Sequence, residues 1–191
     1  MNSARARASL LTSLVLLAAT AVAACSSPHP RREPLGEPFP TVRGESLAEE
    51  PVELPSALAG APAVLLIGYA QNAQFDLDRW ILGLAQAGTP VAILELPTIP
   101  GLVPGMIAGS IDDGMRSGIP SEDWPDVVTL YGADAKRIAR WTGTERKLNG
   151  RVVLIDGEGV VAWFHDRGYS AGKVLELDAR ARELARARTD G

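Results

Sequence analysis

The stretch Ala63-Val64-Leu65-Leu66-Ile67-Gly68-Tyr69 decides the fold of this chain. A continuous apolar run of this length predicts a strand buried on both faces, as in a sheet that helices cover on both sides. A polar turn at 71–74 follows, and residues 75–87 carry apolar side chains at helical spacing until Gly88. Residues 91–96 predict a second buried strand. A strand, a helix and a strand in this order predict a right-handed βαβ unit with parallel strands.

Two helices and a short strand are predicted after this unit. A loop rich in proline and glycine occupies 97–105, and a helix begins near Pro104, because proline is favoured at a first helical position. The apolar stripe of this helix consists of Met106, Ile107, Ile111 and Met115. Residues 127–130 predict a strand, and residues 134–141 predict a short helix that Gly143 closes.

The last third of the chain predicts a hairpin and a closing helix. Two β-rich runs, 152–155 and 160–164, are joined by Asp156-Gly157-Glu158-Gly159, whose glycines supply the positive φ angles of hairpin turns. An amphipathic helix then ends the sequence. A βαβ unit, intervening helices, a hairpin and a helix follow one another in the order of the thioredoxin-like fold. We therefore predict an α/β protein with a central mixed sheet flanked by helices.

The first 24 residues have the composition of an export signal. Arg5 and Arg7 precede an apolar run at 10–24, which is too short for a comfortable membrane span of about 20 residues. Val22-Ala23-Ala24-Cys25 resembles the bacterial lipobox, in which an aliphatic residue and two small ones precede the lipidated cysteine. We therefore predict a lipoprotein anchored to a membrane through Cys25. The alternative is an ordinary signal peptide that happens to end near a cysteine.

Three segments are expected from these features: a signal peptide at 1–24, a lipidated cysteine with a proline-rich tether at 25–38, and a folded domain at 39–191. Such a proline-rich stretch favours an extended spacer over a packed element. Ser26, directly after the lipidated residue, predicts sorting to the periplasmic face of the outer membrane in a host with two membranes. In a host with one membrane, the anchor would lie in its outer leaflet.

The composition excludes two kinds of function. Cys25 is the single cysteine, so its acylation would leave the domain without a free thiol or a disulfide. The formal net charge is −4, and no large basic field is present to hold a phosphate backbone, so we expect no nucleic-acid partner. The apolar fraction of 46% suits a conventional core in one domain.

The two chemical positions of a thioredoxin-like protein are altered in this sequence. A reactive dithiol lies after the first central strand, where the helix N-terminus stabilises a thiolate, but this chain has Gln71-Asn72-Ala73-Gln74 there. A cis-proline precedes the hairpin in the fold, but Leu148-Asn149-Gly150-Arg151 contains no proline. We therefore expect no thiol–disulfide or peroxide chemistry, and no enzyme of that kind.

The sequence contains few residues that could form another catalytic site or a metal site. His165 is the one histidine of the predicted domain, and Asp166 beside it would point to the opposite face of a strand. A metal site based on histidine takes two or more clustered ligands. Six acids lack the spacing of a calcium loop and are interpreted as solvated or helix-terminal charge: Asp76, Asp78, Asp112, Asp113, Glu122 and Asp123. We expect no metal and no cofactor.

A polar binding patch is the remaining candidate site. The end of the last strand lies near the loop after the first central strand in the expected sheet, so side chains of both segments should face each other. The patch would contain Gln71, Asn72, Gln74, His165, Asp166, Arg167 and Tyr169.

A series of segments in the folded part matches one known family in order. They run from Phe39-Pro40 and Gly44–Leu47, through Ile93–Leu96 and Gly114–Glu122, to Gly150–Asp156, Gly159, Trp163 and Gly168-Tyr169-Ser170. With these segments the folded part resembles the assembly-factor family of mitochondrial ATP synthase. The resemblance implies a thioredoxin-like, non-enzymatic assembly protein or chaperone, and it marks Arg116, Ile119 and Pro120 as family-pattern positions without a role. A mitochondrial member faces the matrix, whereas a lipoprotein faces away from the cytoplasm, so the client is not carried over.

Two hypotheses of function result from the sequence. The first is a lipid-tethered domain that contacts the membrane through its anchor and binds or assists an envelope protein. The second is an envelope enzyme, independent of thiols, with a polar site around Gln71 and His165.

Overall fold

The computed structural model describes residues 28–101 and 105–189. The predicted signal peptide, the lipidation of Cys25, the sorting residue Ser26 and a helix start at Pro104 lie outside these residues. The described strands are β1 (Val42–Ser46), β2 (Pro51–Leu54), β3 (Ala63–Gly68), β4 (Ala92–Ile99), β5 (Val128–Tyr131), β6 (Arg151–Ile155) and β7 (Val161–His165). The described α-helices are α1 (Gln74–Ala87), α2 (Gly105–Arg116), α3 (Gly132–Thr142) and α4 (Ala171–Thr189).

The seven described strands form one mixed sheet in the order β2-β1-β5-β4-β3-β6-β7. Strands β3, β4 and β5 run parallel, and β6 and β7 form the predicted antiparallel hairpin. The predicted βαβ unit is β3-α1-β4. Because β6 runs antiparallel beside β3, Ile67 near the carboxyl end of β3 pairs with Arg151 at the start of β6.

The core has one cluster on each face of the sheet, as the continuous apolar run of β3 predicts. Leu65 and Ile67 face α3, where Ile138 belongs to the same buried cluster. Val64 and Leu66 face the opposite side, which α1 and α4 cover. Alternate side chains of a strand point to opposite faces, so one apolar strand supplies both layers of the core.

Three strands differ from the sequence prediction, which placed none at β1 or β2. The central Gly44 weakens the strand pattern of β1. A Cβ there would lie 2.6 Å from the Thr129 carbonyl oxygen, so β1 and β5 approach too closely for a side chain. Strand β4 continues past the predicted end at Pro97 to Ile99. Pro97 pairs with the last residue of β3, and from Thr98 onward the partner is β5.

The prediction of a free spacer is wrong for residues 28–38. His29 and Thr144 exchange hydrogen bonds, and the Arg32 amide donates to the Thr142 carbonyl oxygen. Further along, the Gly36 amide donates to the carbonyl oxygen of Val161. Proline prevents this stretch from forming a helix, but it does not prevent an extended chain from lying along the domain.

In the described part of the chain, no helix is long and apolar enough to cross a membrane.

The predicted apolar stripe of α2 is not buried. Met106 is 91% exposed and Ile107 is 53% exposed, while Ile111 and Met115 are half-buried. The buried residue of this helix is Asp112, which accepts a hydrogen bond from the Tyr131 hydroxyl. The helical pattern predicted a helix correctly, but not the side that packs.

Candidate functional site

A polar cleft of about 160 Å³ opens beside the start of β6. Its walls come from the stretch before β1, the loop between α3 and β6, and the loop after β7. The residues that line this cleft, which we call the arginine cleft, are Arg31, Glu145, Arg146, Arg151, Asp166 and Arg167. Four arginines against two carboxylates give it a positive charge, although the chain as a whole carries −4.

Arg151 is the innermost cation of the cleft and is 2% exposed. Its Nη1 donates to the carbonyl oxygens of Arg146 and Asn149, and its Nη2 donates to that of Gly143. The guanidinium carbon lies 5.2 Å from the ring centre of Tyr69, a cation–π distance. Its Nε has no hydrogen-bond partner among the described residues. Three of the four bonded or stacked neighbours of Arg151 are therefore backbone carbonyls.

Asp166 is the buried acid of the same cleft and is 4% exposed. Its Oδ2 accepts a hydrogen bond of 2.7 Å from Arg31 Nε, and its backbone carbonyl accepts one from the Asn149 side chain. Its Oδ1 has no partner within the described part of the chain. The cleft thus contains one buried donor and one buried acceptor that the described residues leave unpaired.

The pKa values of the arginines in the cleft follow from their surroundings. Burial lowers the pKa of Arg151, and the neighbouring Tyr69 and Asp166 act in the opposite direction. The hydrogen bond that Arg31 donates to Asp166 raises the pKa of Arg31. Burial also raises the pKa of Tyr69, so this ring stacks on Arg151 as a neutral phenol.

Asp76 lies in the first helical turn after the position where a thioredoxin-like protein carries its reactive turn. Its carboxylate accepts hydrogen bonds from the amide of Gly150, at 2.8 Å, and from the amide of Tyr169, at 2.7 Å. A Cβ on Gly150 would collide with Leu77, so neither proline nor any other larger residue fits there without movement. Sequence analysis interpreted Asp76 as helix-terminal charge, but its carboxylate joins two loops to α1.

The predicted polar patch divides into separate environments. Gln71, Asn72 and Gln74 are exposed, and Gln74 Nε2 donates to Asp78 and Glu95. No hydrogen bond or ring contact joins these amides to His165 in the described part of the chain. Of the predicted patch, Asp166 and Arg167 lie in the arginine cleft.

His165 and Tyr169 pack in an aromatic cluster around Trp80. The His165 ring lies 5.6 Å from that of Trp80 and 5.9 Å from that of Trp163, between ring centres. Its Nε2 lies 2.9 Å from the Gly168 carbonyl oxygen, which can only accept, so Nε2 is the donor. Tyr169 contacts Trp80 edge to face. These contacts fix the loop after β7 and leave His165 with a packing role.

The family-pattern positions brace the end of α2. Arg116 donates to the Leu47 carbonyl oxygen and forms an ion pair with Asp113. The Trp124 indole donates to the carbonyl oxygen of Ile119, and Pro120 precedes a 3₁₀ turn at Ser121–Asp126.

Among the described residues, no group of three or more histidine, cysteine or acidic side chains could hold a metal ion.

Sequence analysis missed four of the six residues that line the arginine cleft: Arg31, Glu145, Arg146 and Arg151. One signal was present, since an arginine directly before the apolar run 152–155 occupies a strand position that is normally apolar. The other three belong to segments that read as solvated loop or tether.

No protein-family model matches the chain, and no curated protein sequence matches it. Solved structures do match. A SCO1/SenC family lipoprotein from Bacillus anthracis has a TM-score of 0.54 at 14% identity, with 82% of this chain and 99% of that chain covered. A putative protein disulfide isomerase from Bacteroides thetaiotaomicron has a TM-score of 0.53 at 16% identity, with 84% of this chain and 94% of that chain covered.

A third match is BsSco, a member of the Sco family of cytochrome c oxidase assembly proteins. Its TM-score is 0.55 at 11% identity, with 81% of this chain and 98% of that chain covered. At these identities the matches define the fold, and they agree with the element order and sheet described above. The chain has a thioredoxin-like α/β fold, with a central mixed sheet flanked by helices.

Proposed function

We propose that this protein is a lipid-anchored, redox-inactive thioredoxin-like binding factor that assists an envelope protein. The observation that carries the proposal is the chemistry of the turn where the fold places its reactive groups, next to which the Asp76 carboxylate is occupied by the amides of Gly150 and Tyr169. That turn holds amides in place of sulfur, and the single cysteine of the sequence belongs to the lipobox-like segment. A domain without reactive groups at this position acts through binding.

The comparisons support an anchored assembly role by analogy. One matching structure is described as a lipoprotein, and another belongs to a family of assembly proteins. The resemblance to the assembly factors of mitochondrial ATP synthase supports the same class of function. None of these relationships transfers a client to this chain.

The surface of α2 best suits contact with a protein client. Met106 and Ile107 expose apolar side chains on a helix whose other face is braced by Arg116. Burial of such side chains against a partner is favourable at roughly 25 cal/mol per Å². The alternative, an enzyme around Gln71 and His165, gains no support, because the two side chains make no contact and His165 Nε2 is engaged.

The proposal is tested by crosslinking in intact cells, followed by quantitative mass spectrometry of the captured proteins. A Met106→Glu/Ile107→Glu double variant should lose a partner that the wild-type protein captures. Leu82→Glu is the matched control, because Leu82 is an exposed apolar residue on another helix, α1. Capture that is no greater than that of Cys25→Ala, or equal capture by the double variant, would contradict the proposal.

A further inference from the structure

The arginine cleft contains two unpaired groups of opposite hydrogen-bonding character. Arg151 Nε is a donor and Asp166 Oδ1 is an acceptor, and both belong to side chains that are more than nine-tenths buried. Buried polar atoms are paired in the great majority of cases, so two orphans in one cleft require an explanation. A bound ligand that both accepts and donates would satisfy them together.

The net positive charge of the cleft favours an anionic ligand. Arg146 and Arg167 are exposed at its rim, and neither side chain forms an ion pair with another described residue. Guanidinium groups bind phosphate and carboxylate with charge-assisted hydrogen bonds. Asp166 disfavours a plain anion at its Oδ1, because two acceptors cannot bond each other. The ligand therefore carries both an oxyanion and a hydroxyl group.

The volume of the cleft and its distance from the lipid anchor indicate where this ligand comes from. Its volume of about 160 Å³ is roughly tenfold what one water molecule requires. Arg31, in the cleft wall, follows Cys25 by six residues, which can span at most about 20 Å. If Cys25 is acylated, as the proposed function requires, the cleft is held within that distance of the lipid surface.

We propose that the arginine cleft binds the headgroup of an anionic phospholipid that carries hydroxyl groups, as in phosphatidylglycerol. Arg146, Arg151 and Arg167 bind the phosphodiester, and Asp166 Oδ1 accepts a hydrogen bond from a headgroup hydroxyl. The anchor keeps the cleft at a high effective concentration of headgroups, so weak intrinsic binding suffices. This second contact fixes which side of the domain faces the membrane.

The test is isothermal titration calorimetry of the full acylated protein in a neutral detergent. The probes are glycerophosphoglycerol, diethyl phosphate and inorganic phosphate. Glycerophosphoglycerol should bind most tightly, because diethyl phosphate has the same singly charged phosphodiester but no hydroxyl group that could donate to Asp166. Equal binding of the two diesters would overturn the role of Asp166, and phosphate binding as tight as that of glycerophosphoglycerol would indicate a free-phosphate site instead. Absence of binding by all three would overturn the site.

Variants connect the binding to this cleft. Arg167→Gln should weaken glycerophosphoglycerol binding about tenfold, as expected for one charge-assisted hydrogen bond. Arg186→Gln is the matched control, since Arg186 is an exposed arginine in the last turn of α4. Asp166→Asn should remove the preference for glycerophosphoglycerol over diethyl phosphate, with folding checked by circular dichroism. Equal binding by Arg167→Gln and wild type would contradict the assignment even if Asp166→Asn unfolds.

The headgroup site and the proposed function can fail separately. The titration uses purified protein and no client, so a missing client leaves its result unchanged. Mass spectrometry of the N-terminal peptide reports acylation of Cys25 independently. Binding without acylation would remove the lipid anchor from the proposed function and keep the cleft as an anion site, which would overturn its assignment to membrane headgroups.

Discussion

The carboxylate of Asp76, in the first turn of α1, accepts a hydrogen bond from the backbone amide of Gly150, directly before β6. The same carboxylate accepts from the amide of Tyr169. One side chain thereby joins α1 to the segment before β6 and to the loop after β7. This structural role, beside the turn that carries the reactive groups of the fold, requires no sulfur.

Asp76→Ala should lower the free energy of unfolding by about 3 kcal/mol, because two charge-assisted hydrogen bonds are lost and two amides remain unpaired. Chemical denaturation measures this change. Asp78→Ala is the control, since Asp78 is exposed and accepts one hydrogen bond, from Gln74. Similar losses for the two variants would mean that Asp76 does not join the loops.

Gly150→Ala should destabilise the protein by about 2 kcal/mol, because the added Cβ collides with the buried Leu77 side chain. Gly114→Ala on α2 provides a matched glycine with open space around it, and alanine should be neutral or slightly stabilising there. The two melting temperatures should therefore shift in different directions. A shift of the same size and sign in both would contradict the close approach at Gly150.

The fold was predictable from sequence because its central strands are continuous apolar runs. The arginine cleft was not, since Arg31 and Asp166 are 135 residues apart and the Nη groups of Arg151 bond to backbone carbonyls. Every residue has a backbone carbonyl, so the sequence does not indicate which carbonyls accept these hydrogen bonds. Likewise, the spacing of apolar residues in α2 predicted a helix, but periodicity alone does not tell which face another element covers.

Arg151→Lys should lower the free energy of unfolding by about 3 kcal/mol, although the charge is kept. An ammonium group cannot reproduce the planar fork that donates to Gly143 and Arg146 and stacks on Tyr69, so buried carbonyls lose their partners. Arg140→Lys, at an exposed position of α3, should change stability little. Equal stability of the two variants in urea denaturation would refute the role of the fork.

Glu95 should make the protein less stable as the pH rises from about 4. Burial raises the pKa of Glu95 in the folded state, with a hydrogen bond from Gln74 acting in the opposite direction. Its stabilising contribution is therefore full below the pKa of the unfolded chain and is lost as the pH rises through the folded pKa. Glu95→Gln stays neutral, so its stability relative to wild type should increase between pH 4 and pH 7 in urea denaturation.

Asp178 supplies the opposite sign as a control for Glu95. A hydrogen bond from Arg182 lowers the pKa of Asp178, so its contribution is present above the unfolded pKa and is lost as the pH falls through the folded pKa. Asp178→Asn should therefore be less stable than wild type at neutral pH, with a difference that shrinks in acid. A stability of Glu95→Gln, relative to wild type, that falls between pH 4 and pH 7, as expected for Asp178→Asn, would contradict the burial of Glu95.

The stretch before β1 should be protected from hydrogen exchange, because it lies along the domain. The amides of Arg32 and Gly36 donate to carbonyl oxygens of the domain, and the amide of Thr144 donates back to His29. These three amides should exchange more slowly than the backbone amides of Arg31 and Leu35, which donate no hydrogen bond to any described residue. Amide-resolved exchange measured by NMR makes this comparison. Uniformly fast exchange would mean that the stretch detaches in solution and that Arg31 does not remain in the cleft wall.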